Sequence, residues 1–508
     1  MRFLMLLAFF IFGIYAVNAQ EVRGQVLDSG NKQPIPYASV LFGENRGVVT
    51  NEEGVFSFTA ENPPSSLKIS SMGYETVELK PEEIINGTVY LKPASIELRE
   101  VYLSNKNLSP KEIIAKVKEE IDNNYDLDLS KKRVFYRESN TSYVKKFDLE
   151  VDKSTIEGID QNLMDQISQK IPKVSDSYKE VLADLYGNYD SQKLEIIKAA
   201  NLYDPQSTRS LEELTDQLEM HFKQSLKEKS YLKIRSGIIG VKVDSKELQE
   251  GLAESSAEKK EKTPAEKEEE HAKDQENLQK RTTKKINSLL GSMFWKEDIT
   301  FNLFEKSNKY NFSLDGYAWL DNSTVYVLSF EPKRGADYKG KIYVNTLDYG
   351  VHRLEFSNVK PLKKFKLFGI STADDVHRGK MIFVKDVNNK YTLNYLEQER
   401  GESFGLDRPL TIIEKNKHVK GRRKQNELDL DLRLNMSQVE KVQLVVYENQ
   451  PLDNAAFQAM TASGNFQYET FRVYNPNFWQ GNNIMEPNAA IKKFTSLQPD
   501  EPEEGAQK

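Results

Sequence analysis

The 508-residue chain contains no cysteine. That absence excludes disulfides, thiolate metal sites, a cysteine nucleophile and a lipid-modified N-terminal cysteine. Histidine is scarce, with five in all. No HExxH pair, phosphate-binding P-loop or GxGxxG turn is present. After the N-terminus, no apolar run approaches the ~20 residues of a membrane-spanning helix. A surplus of basic charge is also lacking: the net charge is −6, which gives no support to nucleic-acid binding.

What is present begins with an export signal. Arg2 supplies a positive charge, Phe3 to Ala16 is unbroken and apolar, and Val17-Asn18-Ala19 offers small residues for cleavage. Residues 1–19 are therefore read as a signal peptide. The exported chain is expected in the periplasm or at the outer-membrane surface. Aromatics reach 10% of the chain, a richness that suits β-structure.

Residues 20–93 read as a β-sandwich of about seven short strands separated by Gly, Pro and Asn turns. The candidates are Val22 to Leu27, Tyr37 to Phe42, Val48 to Thr50, Val55 to Thr59, Leu67 to Ser70, Thr76 to Leu79 and Thr88 to Leu91. Four motifs run through it: Gly24-x-Val26-x-Asp28, Pro34 to Val40, Gly47-x-x-Thr50-Asn51-x-x-Gly54-x-Phe56-x-Phe58, and Leu67-x-Ile69-Ser70-x-x-Gly73-Tyr74. Together they closely resemble the carboxypeptidase-regulatory-like domain. The resemblance implies a transthyretin-like, immunoglobulin-like sandwich and an envelope protein of the Bacteroidota type. It names a module and not an activity. Ile96 to Leu103 resembles the connector that follows this domain in outer-membrane transporters, but the remaining ~400 residues cannot hold the large barrel of that class.

Residues 94–107 form a linker in this reading. Residues 108–244 are a mixed helical region with the first strands of a second domain. Ser109-Pro110-Lys111-Glu112 opens a helix with Ser as its cap and Ile113, Ile114, Val117 and Ile121 on its apolar face. Residues 139–160 read as strand and 161–230 as helical, with Val181, Leu182 and Leu185 on one face. Residues 245–287 are dominated by Glu, Lys, Gln and Ala, which predicts a solvated insertion, disordered or a single exposed helix. Residues 288–498 alternate as an antiparallel meander of eight to ten strands that should curl into a half-barrel, with an aromatic C-terminal cap. The hairpin Tyr338 to Val351 resembles that of lipoprotein-carrier-like half-barrels. Residues 499–508 are a polar tail. The fold class is thus mainly β with helical segments: an N-terminal sandwich plus a curved antiparallel sheet.

Two motifs invite catalytic readings. His352-Arg353-Leu354-Glu355 has zinc-carboxypeptidase spacing, but residues three apart on a strand face opposite ways. Gly401-Glu402-Ser403-Phe404-Gly405 matches the serine-hydrolase GxSxG pattern, yet reads as a hairpin loop without the required strand and helix. No catalytic residue, metal or cofactor is expected. The better lead is the apolar face of the meander, on which Tyr326, Leu328, Phe330, His352, Leu354 and Phe356 alternate. Such a face is covered by helices, closed on itself, or filled with an apolar ligand. The expectation is a non-enzymatic envelope protein that binds a lipid, another hydrophobic ligand or an envelope protein. An envelope peptidase or glycosidase, or a structural partner of an outer-membrane transporter, is the alternative.

Overall fold

A computed structural model describes residues 20–494, apart from 44–45, 61–63, 85, 95–107, 204–215, 223, 228, 238, 246–262, 321–322 and 420–423. The expected signal peptide (1–19), most of the expected linker and the expected polar tail lie outside the described residues.

The sandwich has the seven strands its turns predict: β1 (Gln20–Asp28), β2 (Ser39–Gly43), β3 (Arg46–Val49), β4 (Val55–Ala60), β5 (Leu67–Ser70), β6 (Val77–Leu79) and β7 (Thr88–Leu91). One sheet is ordered β4-β1-β7 and the other β3-β2-β5-β6. Alternation in β4 buries Phe56 and Phe58 between them with Val26, Val40, Leu67 and Ile69. The Asn51 carboxamide oxygen accepts from the amides of Glu53 (3.0 Å) and Val55 (2.8 Å), closing the turn before β4. Gly54 sits there at φ 70°, and a Cβ would meet the Val26 carbonyl at 2.5 Å, so only glycine fits.

Helix α1 (Pro110–Glu119) starts at a capping box. Ser109 and Glu112 each accept from the other's backbone amide, and Ile113, Ile114 and Val117 are buried. A short turn, α2 (Ile121–Asn124), leads into the large sheet. Its remaining elements are β8 (Ser130–Ser154), α3 (Gln161–Lys170), β9 (Val174–Gly187), β10 (Gln192–Leu202), β11 (Ser230–Ser236), β12 (Ile239–Asp244), α4 (Pro264–Leu290), β13 (Tyr310–Leu320), β14 (Ser323–Pro332), β15 (Tyr338–Asn345), β16 (Val351–Asn358), β17 (Lys364–Leu367), β18 (Ile370–Lys385), β19 (Tyr391–Asn416), β20 (Lys424–Pro451) and β21 (Gln467–Phe471). Pairing runs β21-β10-β9-β8-β20-β19-β18-β16-β15-β14-β13, antiparallel except at β10–β21. The hairpin β11–β12 joins β19, and β17 joins β18. The sheet is curved and open, with β13 and β21 at its ends.

Both faces of this sheet are covered. Val134, Tyr136, Val181, Ala183, Leu185, Leu354, Leu396 and Leu444 face α1, the end of α4 and the segment Met293 to Phe304. Phe135, Tyr178, Leu182, Tyr395, Val445 and Tyr447 face the sandwich and the C-terminal segment. The far ends of β8 and β20 form a smaller third core with α3.

Two sequence expectations are corrected. Of residues 161–230, Gln161–Lys170 is helical, while Val174–Gly187 and Gln192–Leu202 are strands. A strand buried on both faces reads as a continuous apolar run, and Val181 to Leu185 mimicked a helical face for that reason. The charged insertion is not wholly solvated either. Residues 246–262 lie outside the described residues, but Leu278, Thr282, Ile286, Leu289 and Leu290 of α4 are buried. Their three-to-four-residue spacing puts them on one stripe, too sparse to stand out among the charges.

Candidate functional site

Of the six residues expected to line a cavity, five are buried core residues. Tyr326, Leu328, Phe330, Leu354 and Phe356 are packed core. The Phe301 ring stacks on Phe356 at 3.9 Å between centroids and stands edge-on to Tyr338 at 5.3 Å. Nothing in the alternation of the strands could say what would cover them. His352 departs from the other five. It is the extra residue of a bulge, because Tyr343 pairs with Arg353 and Val344 with Val351. There it contacts the Tyr391 hydroxyl at 3.3 Å and borders a cleft on the other side of the sheet.

That cleft lies between sandwich and sheet and has a volume of about 120 Å³. The sandwich lines it with Tyr37, Ser39, Leu41, Lys68, Ser70, Ser71 and Met72. The sheet adds Leu320, Ser323, His352, Arg353, Ile382, Phe383, Val384 and Lys385. Among the described residues three cations and four serine hydroxyls line it and no carboxylate does, although Lys385 pairs with Asp348 and Arg353 with Glu355, each at 2.5 Å, just outside the lining. Among the described residues, the Ser39 hydroxyl is buried without a hydrogen-bond partner. A buried hydroxyl left unpaired costs about 1–3 kcal/mol.

Beside the cleft the two bodies are joined by charge. Tyr37 stacks on Tyr395 at 4.8 Å, and both hydroxyls donate to the Glu397 carboxylate, at 3.2 and 2.7 Å. Lys441 lies 3.2 Å from Glu397 and also pairs with Glu52 of the sandwich. The Lys380 ammonium sits over the Tyr37 ring at 3.9 Å. Burial pushes the Glu397 carboxyl up, but Lys441, Lys380 and the Tyr395 hydroxyl outweigh it and hold it below the ordinary Glu range. Burial and then the charges of Glu397 and Glu52 push the Tyr37 phenol upward, so it stays a donor.

A second joint holds the C-terminal segment. Arg137 and Glu180, almost wholly buried, pair at 2.6 Å. Arg137 also donates to the Met485 carbonyl at 2.6 Å, and the Trp479 indole donates to Glu180 at 2.9 Å. The Ser57 hydroxyl donates to Glu486 at 2.6 Å. The aromatic segment expected to cap the sheet is thus wedged between sheet and sandwich.

The catalytic motifs are placed as follows. His352 is buried against Tyr391, whereas Glu355 pairs with Arg353 at 2.5 Å. Among the described residues no group of three metal-ligating side chains comes together. Ser403 is not in a loop, as expected, but inside β19, paired on both sides with Ala373 and Ser437. A continuous strand offers no sharp turn to present a nucleophile. His377 lines a separate cleft of about 290 Å³ with Asp337, Tyr338, Lys363, Asp374 and Arg400. Arg400 donates to the Gln398 oxygen, which turns the Gln398 amide toward His377 Nε2 at 3.3 Å. His377 Nδ1 meets the Tyr338 hydroxyl at 2.7 Å. Burial, then the Arg400 charge, lowers the imidazole pKa to about 4, so the ring is neutral at pH 7.

Residues 22–103 match the CarboxypepD_reg-like domain. No curated protein matches the chain. Among solved structures, a domain described as an outer membrane lipoprotein-sorting protein from Vibrio parahaemolyticus aligns at 8% identity and a TM-score of 0.20, covering 69% of this chain and 97% of its own. The MucA/MucB complex of Pseudomonas aeruginosa aligns at 7% identity and a TM-score of 0.16, over 68% and 99%. Likeness at that level carries no argument. Among the described residues no helix is long and apolar enough to cross a membrane.

Proposed function

We propose that the protein is a non-enzymatic binding protein of the cell envelope, of the Bacteroidota type, whose sandwich and sheet act together as one receptor. The cleft between them receives a carboxylate on a short apolar stem, as an acidic side chain or chain end of a partner protein provides. The observation that supports this reading is the lining: Lys68, Arg353 and Lys385 beside four serines, with no acid among the described lining residues. A volume of about 120 Å³ suits such a group. It is well below the roughly 300–1,000 Å³ of sites for larger molecules, so an acyl chain does not fit.

The neighbouring charge joint supports this reading. It ties β2 and the turn before β4 to the sheet, which fixes the two walls of the cleft and limits the ordering that binding requires. Calorimetric titration of the full chain with short acidic peptides tests the proposal. Saturable binding that weakens about tenfold or more in a Lys68→Glu/Lys385→Glu variant is the expected result, since a charge-assisted contact is worth about 1.5–3 kcal/mol. Equal binding by the variant removes the cleft. Turnover of a peptide or glycan that depends on a cleft side chain removes the non-enzymatic reading.

A further inference from the structure

A short hairpin stands apart from both joints. β17 and the start of β18 are linked by Phe368-Gly369, and β17 is exposed along its whole length. Phe365 and Leu367 are each 50% exposed and Phe368 is 63% exposed. Three large apolar side chains within four residues are not scattered surface hydrophobes.

The turn itself is unusual. Phe368 and Gly369 both have positive φ, 49° and 77°, as the two central residues of a type I′ hairpin do. Gly369 is required there, because a Cβ would meet the Asp407 carbonyl at 2.1 Å, and its own carbonyl accepts from the Asp407 amide at 2.8 Å. Those contacts fix the hairpin to β19. Phe368 occupies the position that Asn, Asp or Gly fills at least cost, and for a bulky residue this backbone is strained. Strain kept at an exposed tip marks a use for the side chain that stability does not explain.

The charges on residues 363–369 themselves are of one sign. Lys363, Lys364 and Lys366 are exposed within the seven residues 363–369, in a chain whose net charge is −6. Lys360, one turn earlier, is held by Asp337 at 3.0 Å. Lysines alone would serve to guard the open edge of β17 against pairing. They do not account for Phe365, Leu367 and Phe368 pointing into water beside them.

We propose that this hairpin is a membrane-docking tip: Phe365, Leu367 and Phe368 enter the interface of an anionic phospholipid bilayer while Lys363, Lys364 and Lys366 lie among its headgroups. Apolar burial and attraction to negative lipid add, so neither set of residues suffices alone. The proposal is independent of the cleft, which borders the far end of β18 and not the hairpin.

The test is sedimentation of the full chain with vesicles of phosphatidylglycerol and phosphatidylcholine, 3:7, and with vesicles of phosphatidylcholine alone. The wild type should sediment with the anionic vesicles, less at high salt, and little with the neutral ones. Phe368→Asn should weaken binding about tenfold or more, as loss of one inserted ring implies, while its melting temperature holds or rises because Asn suits the turn. Lys363→Glu/Lys364→Glu/Lys366→Glu should abolish binding. Absence of wild-type sedimentation, or equal sedimentation of the variants, overturns the proposal. So does concentration-dependent self-association lost in Phe368→Asn without vesicle binding, which would assign the tip to a second copy of the chain.

Discussion

The two faces of the large sheet are built from the same strands and have different fates. On one face Tyr136, Leu354, Leu396 and Leu444 meet helices and the aromatic segment around Phe301. On the other, Tyr395, Glu397 and Lys441 meet Tyr37 and Glu52 of the sandwich, Arg137 meets the C-terminal segment, and a cleft remains. Alternation of side chains along a strand sorts the residues without deciding what each face is for. The covering elements decide. An apolar face closed by apolar partners becomes core, while a mixed face closed by a second domain becomes a joint with room for a ligand.

The comparison breaks most sharply at the buried pair. Glu180→Ala leaves the Arg137 charge buried and unmatched and should cost about 3–5 kcal/mol in urea unfolding, and Arg137→Met with Glu180→Leu should recover most of it. On the apolar face, Leu354→Ala should cost about 2–5 kcal/mol by the cavity it opens. Leu347→Ala, in the exposed turn before β16, should stay within about 0.5 kcal/mol in the same measurement.

The pH dependence separates the groups further. The folded pKa of His377 is lowered to about 4. The unfolded chain therefore binds the proton first as pH falls from about 6.5 to 4, and stability drops by about 3 kcal/mol across that window. His377→Gln should flatten the urea midpoint there. Glu397 is also lowered, so its contribution is complete above the ordinary Glu pKa of about 4.3 and is lost as pH falls through the folded value. Glu397→Gln should cost about 1–2 kcal/mol at pH 7 and lessen the loss on acidification. Thermal unfolding from pH 3 to 7 reads both.

The sandwich was legible in the sequence because each short strand buries one face and is bounded by turn residues. Asn51 and Gly54 announce their turn by chemistry that only a few residues can supply. The open sheet from β13 to β20 was legible for the same reason. β9 was not, since burial on both faces erases the two-residue period, and in β10 a bulge between Ile196 and Lys198 shifts it. The end of α4 was hidden by a buried stripe of few residues among Glu and Lys. The candidate cleft could not be read at all: Ser39 and Lys68 lie some 280 to 350 residues from Arg353 and Lys385, and no local pattern joins them. His352 entered the reading as one member of an alternating run, and the bulge that turns it toward the cleft leaves no mark in the sequence.

The most direct measurement places a photoreactive benzoylphenylalanine at Met72 in the cleft and, as a control, at Val174 on the exposed start of β9. With an acidic peptide present, crosslinking should occur at position 72, vanish when Lys68 and Lys385 are replaced by Glu, and be absent at position 174. Crosslinking equal at the two positions, or unchanged by the loss of the two lysines, would contradict a binding cleft between sandwich and sheet.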